Sequence, residues 1–311
     1  MRLPDDPAAG GRAVRVRVPG KINLALRIGP RRPDGYHDLA TVFQAVSLFD
    51  EVEARALDDG RVTVSMSGAE VKSVGRGLDN LAVRAACLLR ERWGDSSLGA
   101  ALSIRKAIPV AGGMAGGSAD GAAALLACAR LWDLPLGQPE LLELAGELGS
   151  DVPFPLLGGC AYGVGRGEQV VPALARGTCH WVLALAPSGL STARVFSRFD
   201  DRGDAPESTP AVPAALMKAL AGGDAATLGR HLVNDLEAAA LDLAPGLRRA
   251  LDTGRALGAI GAVVSGSGPT VAFLAADARR ADRLAVAISS EGIAQRVCRA
   301  QGPVPGARIV T

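Results

Sequence analysis

The stretch from Pro109 to Ala123 reads PVAGGMAGGSADGAA and constrains the fold more than any other part of the chain. Its small side chains cannot form a core of their own, but they allow backbone N–H groups to approach a ligand closely. A strand-like run at 101–104 precedes it and apolar residues at helical spacing follow it. A glycine-rich loop that opens a helix near Ser118 offers an anion both free N–H groups and the positive end of a helix dipole. The stretch therefore predicts a phosphate-binding loop, with a flexible linker or a tight strand-to-helix turn as the alternative.

Two common nucleotide-binding patterns share this order of strand, loop and helix, and neither fits the loop. There is no Lys after Gly117 and Ser118, which excludes a Walker P-loop. The glycines cannot be placed in a G-x-G-x-x-G register, which excludes a Rossmann fingerprint. The signature motifs of protein kinases are absent as well. A nucleotide-phosphate loop of a third kind is the remaining interpretation.

The composition indicates an ordinary globular protein. The 311 residues are 48% hydrophobic and 21% charged, which argues against disorder and is enough chain for one or two domains. The net charge of +2 gives no reason to expect a nucleic-acid partner, and no apolar run approaches the roughly 18 residues of a membrane span. The cysteines number five and include no C-x-x-C pair, so they are predicted to be free thiols. We therefore expect a cytoplasmic protein that binds neither nucleic acid nor membranes.

Lysine is scarce in this chain. Of the 34 basic residues, the lysines are only Lys21, Lys72, Lys106 and Lys218. Where arginine is used so heavily, a retained lysine suggests a position that requires a compact ammonium rather than a planar guanidinium. Lys21 and Lys106 lie in the two most unusual neighbourhoods of the sequence, which makes both of them candidates for a functional site.

Hydrophobic patterning predicts strands alternating with helices, without an internal repeat. The predicted strands are 14–18 with its continuation 19–26, 39–57, 61–66, 100–105, 169–171, 181–186, 261–264, 270–274 and 293–299. The predicted helices are 80–93, the one that follows the glycine-rich loop, 138–148, 214–221, 224–239, 245–257 and 278–290. Residues 1–12 are expected to form a frayed tail, and the polar, proline-rich segment 200–213 a surface loop.

Other short segments place polar residues in unusual settings. In PGKINLAL, the alternation puts Lys21 and Asn23 on the same side of the chain. Tyr36 and His37 lie on a turn, where they are either plain surface residues or a pair that stacks on and hydrogen-bonds a planar ring. Asp151 lies between a helix and a proline, so it is either a turn cap or a functional carboxylate.

Three segments together resemble the three motifs of the GHMP kinases, a family that includes galactokinase, homoserine kinase and mevalonate kinase. They are PGKINLAL at 19–26, PVAGGMAGGSAD at 109–120 and SGSGPT at 265–270. The resemblance runs nearly end to end. It implies an α+β GHMP kinase fold, with an S5-like N-terminal domain at 1–172, a ferredoxin-like C-terminal domain at 173–311 and a cleft between them. It also implies ATP and Mg²⁺ as cofactors.

The resemblance also assigns roles to residues at matching positions. It implies that Asp151 is the catalytic carboxylate and that Lys21 lies beside it, within hydrogen-bond or single-water reach. The implied ATP-side residues are Asn80, Lys106, Pro109, Gly112, Gly113, Met114, Ala115, Gly116, Gly117 and Ser118. The implied substrate-side residues are Asn23, Tyr36, His37, Thr192, Phe196, Ser265, Gly266 and Gly268.

Two further elements, DGYH at 34–37 and GSDVPF at 149–154, are similar to one branch of the family. The substrate of that branch is a small molecule, a cytidine diphosphate derivative of a methylated tetritol. The resemblance implies that Tyr36 and His37 bind the cytosine and that Phe196 provides a second stacking ring. Two alternatives remain: another small-molecule GHMP kinase of the homoserine or mevalonate type, and a catalytically silent homologue that only binds a ligand.

The loop departs from the family's usual pattern at three alanines. Ala111 and Ala115 replace residues that are often glycine, and Ala119 replaces a second serine, so the ligands of the metal are left unassigned. An alanine at positive φ costs roughly 1 kcal/mol. We therefore expect negative φ at Ala111 and Ala115, with the left-handed turns at Gly112, Gly113, Gly116 or Gly117.

Overall fold

The computed structural model describes residues 12–310 apart from 69–74, 76, 94, 95, 187, 188, 205 and 207. The predicted frayed tail at 1–12 lies outside the described residues except for its last residue. The strands are β1 (Ala13–Arg31), β2 (His37–Leu57), β3 (Val62–Gly68), β4 (Gly99–Lys106), β5 (Cys160–Val164), β6 (Gln169–Pro172), β7 (Cys179–Leu185), β8 (Val233–Asn234), β9 (Gly261–Val264), β10 (Val271–Ala275), β11 (Arg296–Gly302) and β12 (Arg308–Val310). The helices are α1 (Leu81–Trp93), α2 (Gly116–Leu131), α3 (Gln138–Leu148), α4 (Pro153–Leu157), α5 (Thr192–Arg202), α6 (Ala214–Gly222), α7 (Ala225–Arg230), α8 (Glu237–Leu243), α9 (Gly246–Ala256) and α10 (Ala278–Ser290).

The first sheet is built around the long antiparallel pair β1 and β2. Its strand order is β12-β1-β2-β4-β3, with β5 paired to β2 and β8 paired to β1. The alternation of valine and arginine at the start of β1 gives it one buried face, formed by Val14, Val16 and Val18. Helix α2 packs on this face, and its many small residues permit a close approach. The same helix also packs closely on α1, because a Cβ at Gly121 would lie only 3.2 Å from Leu81 Cβ.

The second sheet is antiparallel, with the order β11-β7-β10-β9. In chain order its strands are β7, β9, β10 and β11, with helices between β7 and β9 and the helix α10 between β10 and β11. This βαββαβ arrangement confirms the expected ferredoxin-like unit. Its helices cover a core that includes Phe199 and Phe273.

The two sheets are joined by strands from the C-terminal half of the chain. Both β8 and β12 pair with β1 of the first sheet. A buried hydrogen bond also connects the sheets, because Trp181 Nε1 of β7 donates to Gln44 Oε1 of β2 at 2.7 Å. The division of the chain into 1–172 and 173–311 stays a prediction.

One predicted helix, 224–239, is wrong. The structure has α7, then the short strand β8, then α8. The break is caused by Asn234, whose side-chain amide donates to Val264 O and Gly266 O at 2.8 and 2.7 Å while its Oδ1 accepts from Leu236 N. The two carbonyl groups that accept from the amide are 30 and 32 residues away along the chain. These hydrogen bonds compete with continuation of the helix.

Two further predictions can be compared with the structure. All five cysteines are free thiols, as predicted. Of the helices in the described part of the chain, none combines the length and the apolar character that crossing a membrane requires.

Candidate active site

A cavity of about 1120 Å³ is lined by residues of both halves of the chain. It brings together most of the residues that the sequence predicted for a functional site. Those that line it are Lys21, Asn23, Tyr36, His37, Pro109, Gly112, Gly113, Ala115, Gly116, Gly117, Ser118, Asp151, Thr192, Phe196 and Gly266. The predicted residues outside its lining are Asn80, Lys106, Met114, Ser265 and Gly268.

The predicted charge pair is present in this cavity. Lys21 Nζ lies 3.9 Å from Asp151 Oδ2, which confirms the expected proximity of the two groups. Lys21 is buried, whereas the side chain of Asp151 is 42% exposed. The carboxylate is therefore open to an incoming ligand, while the ammonium is held behind it.

A chain of hydrogen bonds fixes the ammonium in place. Lys21 Nζ donates to Asn23 Oδ1 at 2.7 Å, and Asn23 Nδ2 donates to Thr41 Oγ1 at 2.8 Å. Thr41 Oγ1 donates in turn to Ala25 O at 2.7 Å. The ammonium also lies 5.4 Å from the centre of the Phe43 ring. The alternation of β1 predicted the side shared by Lys21 and Asn23, but Thr41 and Phe43 come from β2 and have no signal in the sequence that links them to this site.

The backbone conformation of the glycine-rich loop differs from the prediction. Ala111 and Ala115 have φ of 51° and 57°, so the expectation of negative φ at both is wrong. Among the loop glycines only Gly113, with φ of 75°, is left-handed. Helix α2 begins at Gly116 rather than near Ser118, because the left-handed Ala115 turns the chain into the helix.

Contacts from outside the loop explain why this conformation is tolerated. Lys21 N donates to Met114 O at 3.2 Å, and Ser265 Oγ donates to Gly113 O at 3.0 Å. A Cβ at Gly113 would lie 2.0 Å from Ser265 O, so only glycine fits there. The methyl group of Ala111 packs against Gly189, where a Cβ would approach it to 2.6 Å. Strained backbone of this kind persists where the surroundings over-determine it, and such places are often functional.

The loop and the start of α2 form a wall suited to an anion. Gly116, Gly117 and Ser118, which are the first residues of α2, all line the cavity. The first N–H groups of a helix have no partner within it, and the helix dipole adds positive potential at the same end. This wall can therefore bind phosphate groups.

The turn SGSGPT lies against this loop. Gly266 and Ser267 line the cavity, whereas Ser265 is turned toward the loop and braces it. Ser267 Oγ lies 3.0 Å from Thr192 Oγ1, so the turn is also linked to the first residue of α5. A Cβ at Gly266 would lie 3.4 Å from Lys21 Nζ, so the turn approaches the charged pair closely.

An aromatic group occupies the other end of the cavity. Tyr36 is 54% exposed, and the guanidinium of Arg166 lies 5.0 Å from the centre of its ring. The rings of His37 and Phe196 have centres 5.8 Å apart. Arg166 was not singled out from the sequence, because it lies in a glycine-rich turn far from Tyr36 along the chain.

The imidazole of His37 is engaged by the protein. Its Nδ1 lies 2.8 Å from Gly29 O, and its Nε2 lies 2.9 Å from Asp200 Oδ1. Gly29 O is a hydrogen-bond acceptor, so Nδ1 is engaged. Nε2 is buried close to the Asp200 carboxylate but makes no hydrogen bond with the described residues. Asp200 was missed in the sequence, although it follows Phe196 by four residues on α5 and therefore lies on the same face of that helix.

Two residues expected on the ATP side have other partners in this structure. Asn80 Oδ1 accepts from Ala82 N at 3.0 Å and caps the first turn of α1, while its Nδ2 donates to Gly75 O. Lys106 is buried between two carboxylates, those of Asp50 and Asp120. Neither residue lines the cavity.

Two models of one protein family match this chain. The GHMP kinases N terminal domain matches residues 80–159, and the GHMP kinases C terminal domain matches residues 216–294. The chain belongs to the GHMP kinase family, and it is an ATP-dependent kinase of small molecules.

Curated relatives of this chain carry the name of one kinase within this family. The 4-diphosphocytidyl-2-C-methyl-D-erythritol kinase of Thermobifida fusca (strain YX) is 53% identical over 96% of this chain and 98% of its own length. The protein of the same name from Streptomyces coelicolor is 51% identical over 96% of this chain and 99% of its own length.

Solved structures agree with this similarity. A crystal structure of 4-(cytidine 5'-diphospho)-2C-methyl-D-erythritol kinase has a TM-score of 0.75 and 33% identity, and the match covers 93% of this chain and 99% of that one. The mevalonate kinase of L. major has a TM-score of 0.74 but only 16% identity over 96% and 98% of the two chains, so it shows the fold alone.

Proposed function

We propose that this protein transfers the terminal phosphoryl group of ATP to a hydroxyl group of 4-diphosphocytidyl-2-C-methyl-D-erythritol. The observation that carries the proposal is that Lys21 and Asp151, 3.9 Å apart, share one cavity with the phosphate loop and with an aromatic end. Relatives about half identical over nearly the whole chain bear the name of this kinase. The reaction belongs to the steps of non-mevalonate isoprenoid precursor synthesis.

The donor side of the cavity is the loop with the start of α2. Phosphoryl transfer passes through a loose transition state, so the protein contributes chiefly position and electrostatic stabilisation. The N–H groups at Gly116, Gly117 and Ser118 are fixed by the helix they open, and they need no reorganisation when charge develops on the phosphate. The left-handed residues before them aim this end of the helix into the cavity.

The acceptor side is the pair of Asp151 and Lys21. The half-exposed carboxylate of Asp151 accepts a hydrogen bond from the substrate hydroxyl and orients its oxygen toward the phosphorus. It then takes up the proton as the new P–O bond forms and the bond from the terminal phosphorus to the oxygen of the departing ADP breaks. The buried ammonium of Lys21, held by Asn23, stabilises the negative charge that gathers between donor and acceptor.

Mg²⁺ fits the residues at this site. Among the described residues, no group of three or more acidic, histidine or cysteine side chains is arranged to hold a metal. Mg²⁺ with a nucleotide usually requires one or two carboxylates, because phosphate oxygens and waters complete its shell. One oxygen of Asp151 and the hydroxyl of Ser118, both in the cavity lining, would hold it, which leaves the other oxygen of Asp151 for the substrate hydroxyl. When bound, the ion neutralises charge on the phosphate groups.

The aromatic end is suited to the cytosine. Tyr36 and Phe196 both line the cavity and offer ring faces for stacking, and stacking tolerates any base. Selection of cytosine therefore requires hydrogen bonds to the edge of its ring. Because the imidazole of His37 is only 3% exposed and its Nδ1 is already bonded to Gly29 O, we assign this selection to the backbone of His37 rather than to its imidazole.

A panel of acceptors tests the proposal. The protein is incubated with ATP, Mg²⁺ and one of four acceptors: the diphosphocytidyl compound, its uridine counterpart, mevalonate and homoserine, and ADP release is measured. We expect turnover with the first, little with the second and none with the others, since unpaired polar groups at the base edge penalise the wrong base. Comparable rates with mevalonate or homoserine would reject the substrate. Absence of turnover with all four would favour a catalytically silent homologue.

A further inference from the structure

A buried carboxylate binds the backbone just before the phosphate loop. The strand β4 ends at Lys106, and the next two residues, Ala107 and Ile108, donate their backbone N–H groups to Asp50 Oδ1 at 2.6 and 2.9 Å. Asp50 lies on β2 and is fully buried. Its carboxylate therefore holds the backbone that leads into the loop.

The ammonium of Lys106 binds the backbone at the other end of the loop. Its Nζ donates to Gly116 O at 3.1 Å and to Asp120 Oδ2 at 2.6 Å, both in the first turns of α2. The same Nζ contacts Asp50 Oδ2. A Cβ at position 116 would lie 3.2 Å from Nζ, so the close approach favours glycine there. One ammonium thus joins the carboxylate at the start of the loop to the helix at its end.

This cluster is closed to the cavity. Lys106, Asp50 and Asp120 are all buried, and none of them is part of the cavity lining. Burial raises the pKa of Asp120 to about 8. Burial opposes the charge of Lys106, but the two carboxylates outweigh it and raise the pKa of the ammonium. Removing Lys106 would therefore leave the other two groups buried without a charge partner.

We propose that Lys106, Asp50 and Asp120 are positioning residues that hold the phosphate loop in its nucleotide-binding conformation without touching the nucleotide. The loop needs such support because Ala111 and Ala115 are held at positive φ, a conformation that L-residues rarely adopt. Without the cluster at both ends, the backbone would relax and carry the N–H groups of the loop away from the phosphates. This role differs from the direct nucleotide contact that the sequence predicted for Lys106.

The inference rests on the proposed function for the identity of the anion as ATP. The test is calorimetric titration with a non-hydrolysable ATP analogue, using Asp50→Asn and the double variant Lys106→Met/Asp120→Asn. The double variant removes the ammonium together with one carboxyl group, so that two carboxyls are not left buried with no cation. We expect each variant to raise the dissociation constant of the analogue at least about tenfold, because N–H groups that have moved by about 1 Å no longer meet the phosphate oxygens. The KM for the diphosphocytidyl substrate at saturating ATP should stay within about twofold of wild type.

Asp50 is the decisive position because it is fully buried and cannot reach the nucleotide. Wild-type affinity in Asp50→Asn would overturn the proposal. If only the double variant bound the analogue more weakly, Lys106 would contact the nucleotide directly. The matched control is Trp181→Phe, which removes a buried donor to Gln44 away from the cavity. It should leave the affinity unchanged, and an equal loss there would assign the effect to general destabilisation. The titration uses no acceptor substrate, so a failure of the acceptor panel would reject the proposed function and leave this result standing.

Discussion

Lys21 and Lys106 are two lysines of equal burial, each about 5% exposed, in settings that differ in almost every other respect. Lys21 has one carboxylate at 3.9 Å, and that carboxylate is open to the cavity. Lys106 has two carboxylates in direct contact, both buried and both outside the cavity. The comparison teaches that burial of a charge does not identify a catalytic residue. What distinguishes the two lysines is whether the partner of the charge is left accessible to a ligand.

The two lysines also flank the same loop. The backbone N–H of Lys21 donates to Met114 O, and the side chain of Lys106 donates to Gly116 O, on either side of the left-handed Ala115. One therefore combines support of the loop with an ammonium that faces the reaction, while the other supplies support alone. The predictions below test this division of roles.

The largest difference is expected in stability. Lys106→Met leaves two buried carboxyls without their cation and should lower the free energy of unfolding by about 3–5 kcal/mol. Lys21→Met leaves only the half-exposed Asp151 and the amide of Asn23, and should cost about 1 kcal/mol. Urea denaturation followed by circular dichroism measures both. Equal losses would contradict the contrast between the two lysines.

The next difference is expected in turnover, when Asp151 and Asp120 are each replaced by asparagine. Asp151→Asn should lower kcat by a factor on the order of 10² or more, the effect of losing an acid–base group, with ATP affinity little changed. Lys21→Arg should also lose activity, because a planar fork does not replace a compact ammonium. Asp120→Asn keeps an oxygen acceptor for Lys106 and should change kcat by no more than about twofold. Near-wild-type turnover in Asp151→Asn would refute its catalytic role.

A further prediction concerns pH and the buried cluster. The pKa of Asp120 is raised from 3.8 to about 8 by burial, so between these values the folded protein binds a proton that the unfolded chain does not. The stabilisation from this group is complete below pH 3.8 and is lost as pH rises toward 8. Wild type should therefore lose stability over this range relative to Asp120→Asn, as measured by urea midpoints at several pH values. Parallel curves for the two proteins would show that Asp120 does not titrate in this way.

The smallest effect is expected in the loop between the lysines. Ala115→Gly removes the strain of a left-handed alanine, less the added flexibility of glycine in the unfolded chain, and should stabilise the protein by about 0.5–1 kcal/mol. The same change at Ala123, inside α2, should destabilise by about 1 kcal/mol. Thermal unfolding of the two variants gives the comparison, and a loss of stability in both would mean that φ at Ala115 is not a source of strain.

Local patterns in the sequence determined most of the elements, and the resemblance to the GHMP kinases supplied most of the residues predicted for the site. The boundaries of α3 and α10 follow from their periodicity, and the alternation of β1 places Lys21 beside Asn23. Single motifs of small residues and glycines also predicted the cavity wall at Gly112, Gly113 and Gly116 to Ser118. These features depend on neighbours within a few positions, which a sequence displays directly.

The tertiary structure alone decided the features that depend on distant partners. The helix predicted at 224–239 is broken because Asn234 bonds to the turn at 264–266. Ala115 takes a left-handed conformation between supports supplied by β1 and β4, against its own preference. Lys106 is enclosed because β2 brings Asp50 and α2 brings Asp120 to the same ammonium. Each outcome depends on hydrogen bonds or charges contributed by residues far apart in the chain, and their free energy outweighs the local preferences by which a sequence is interpreted.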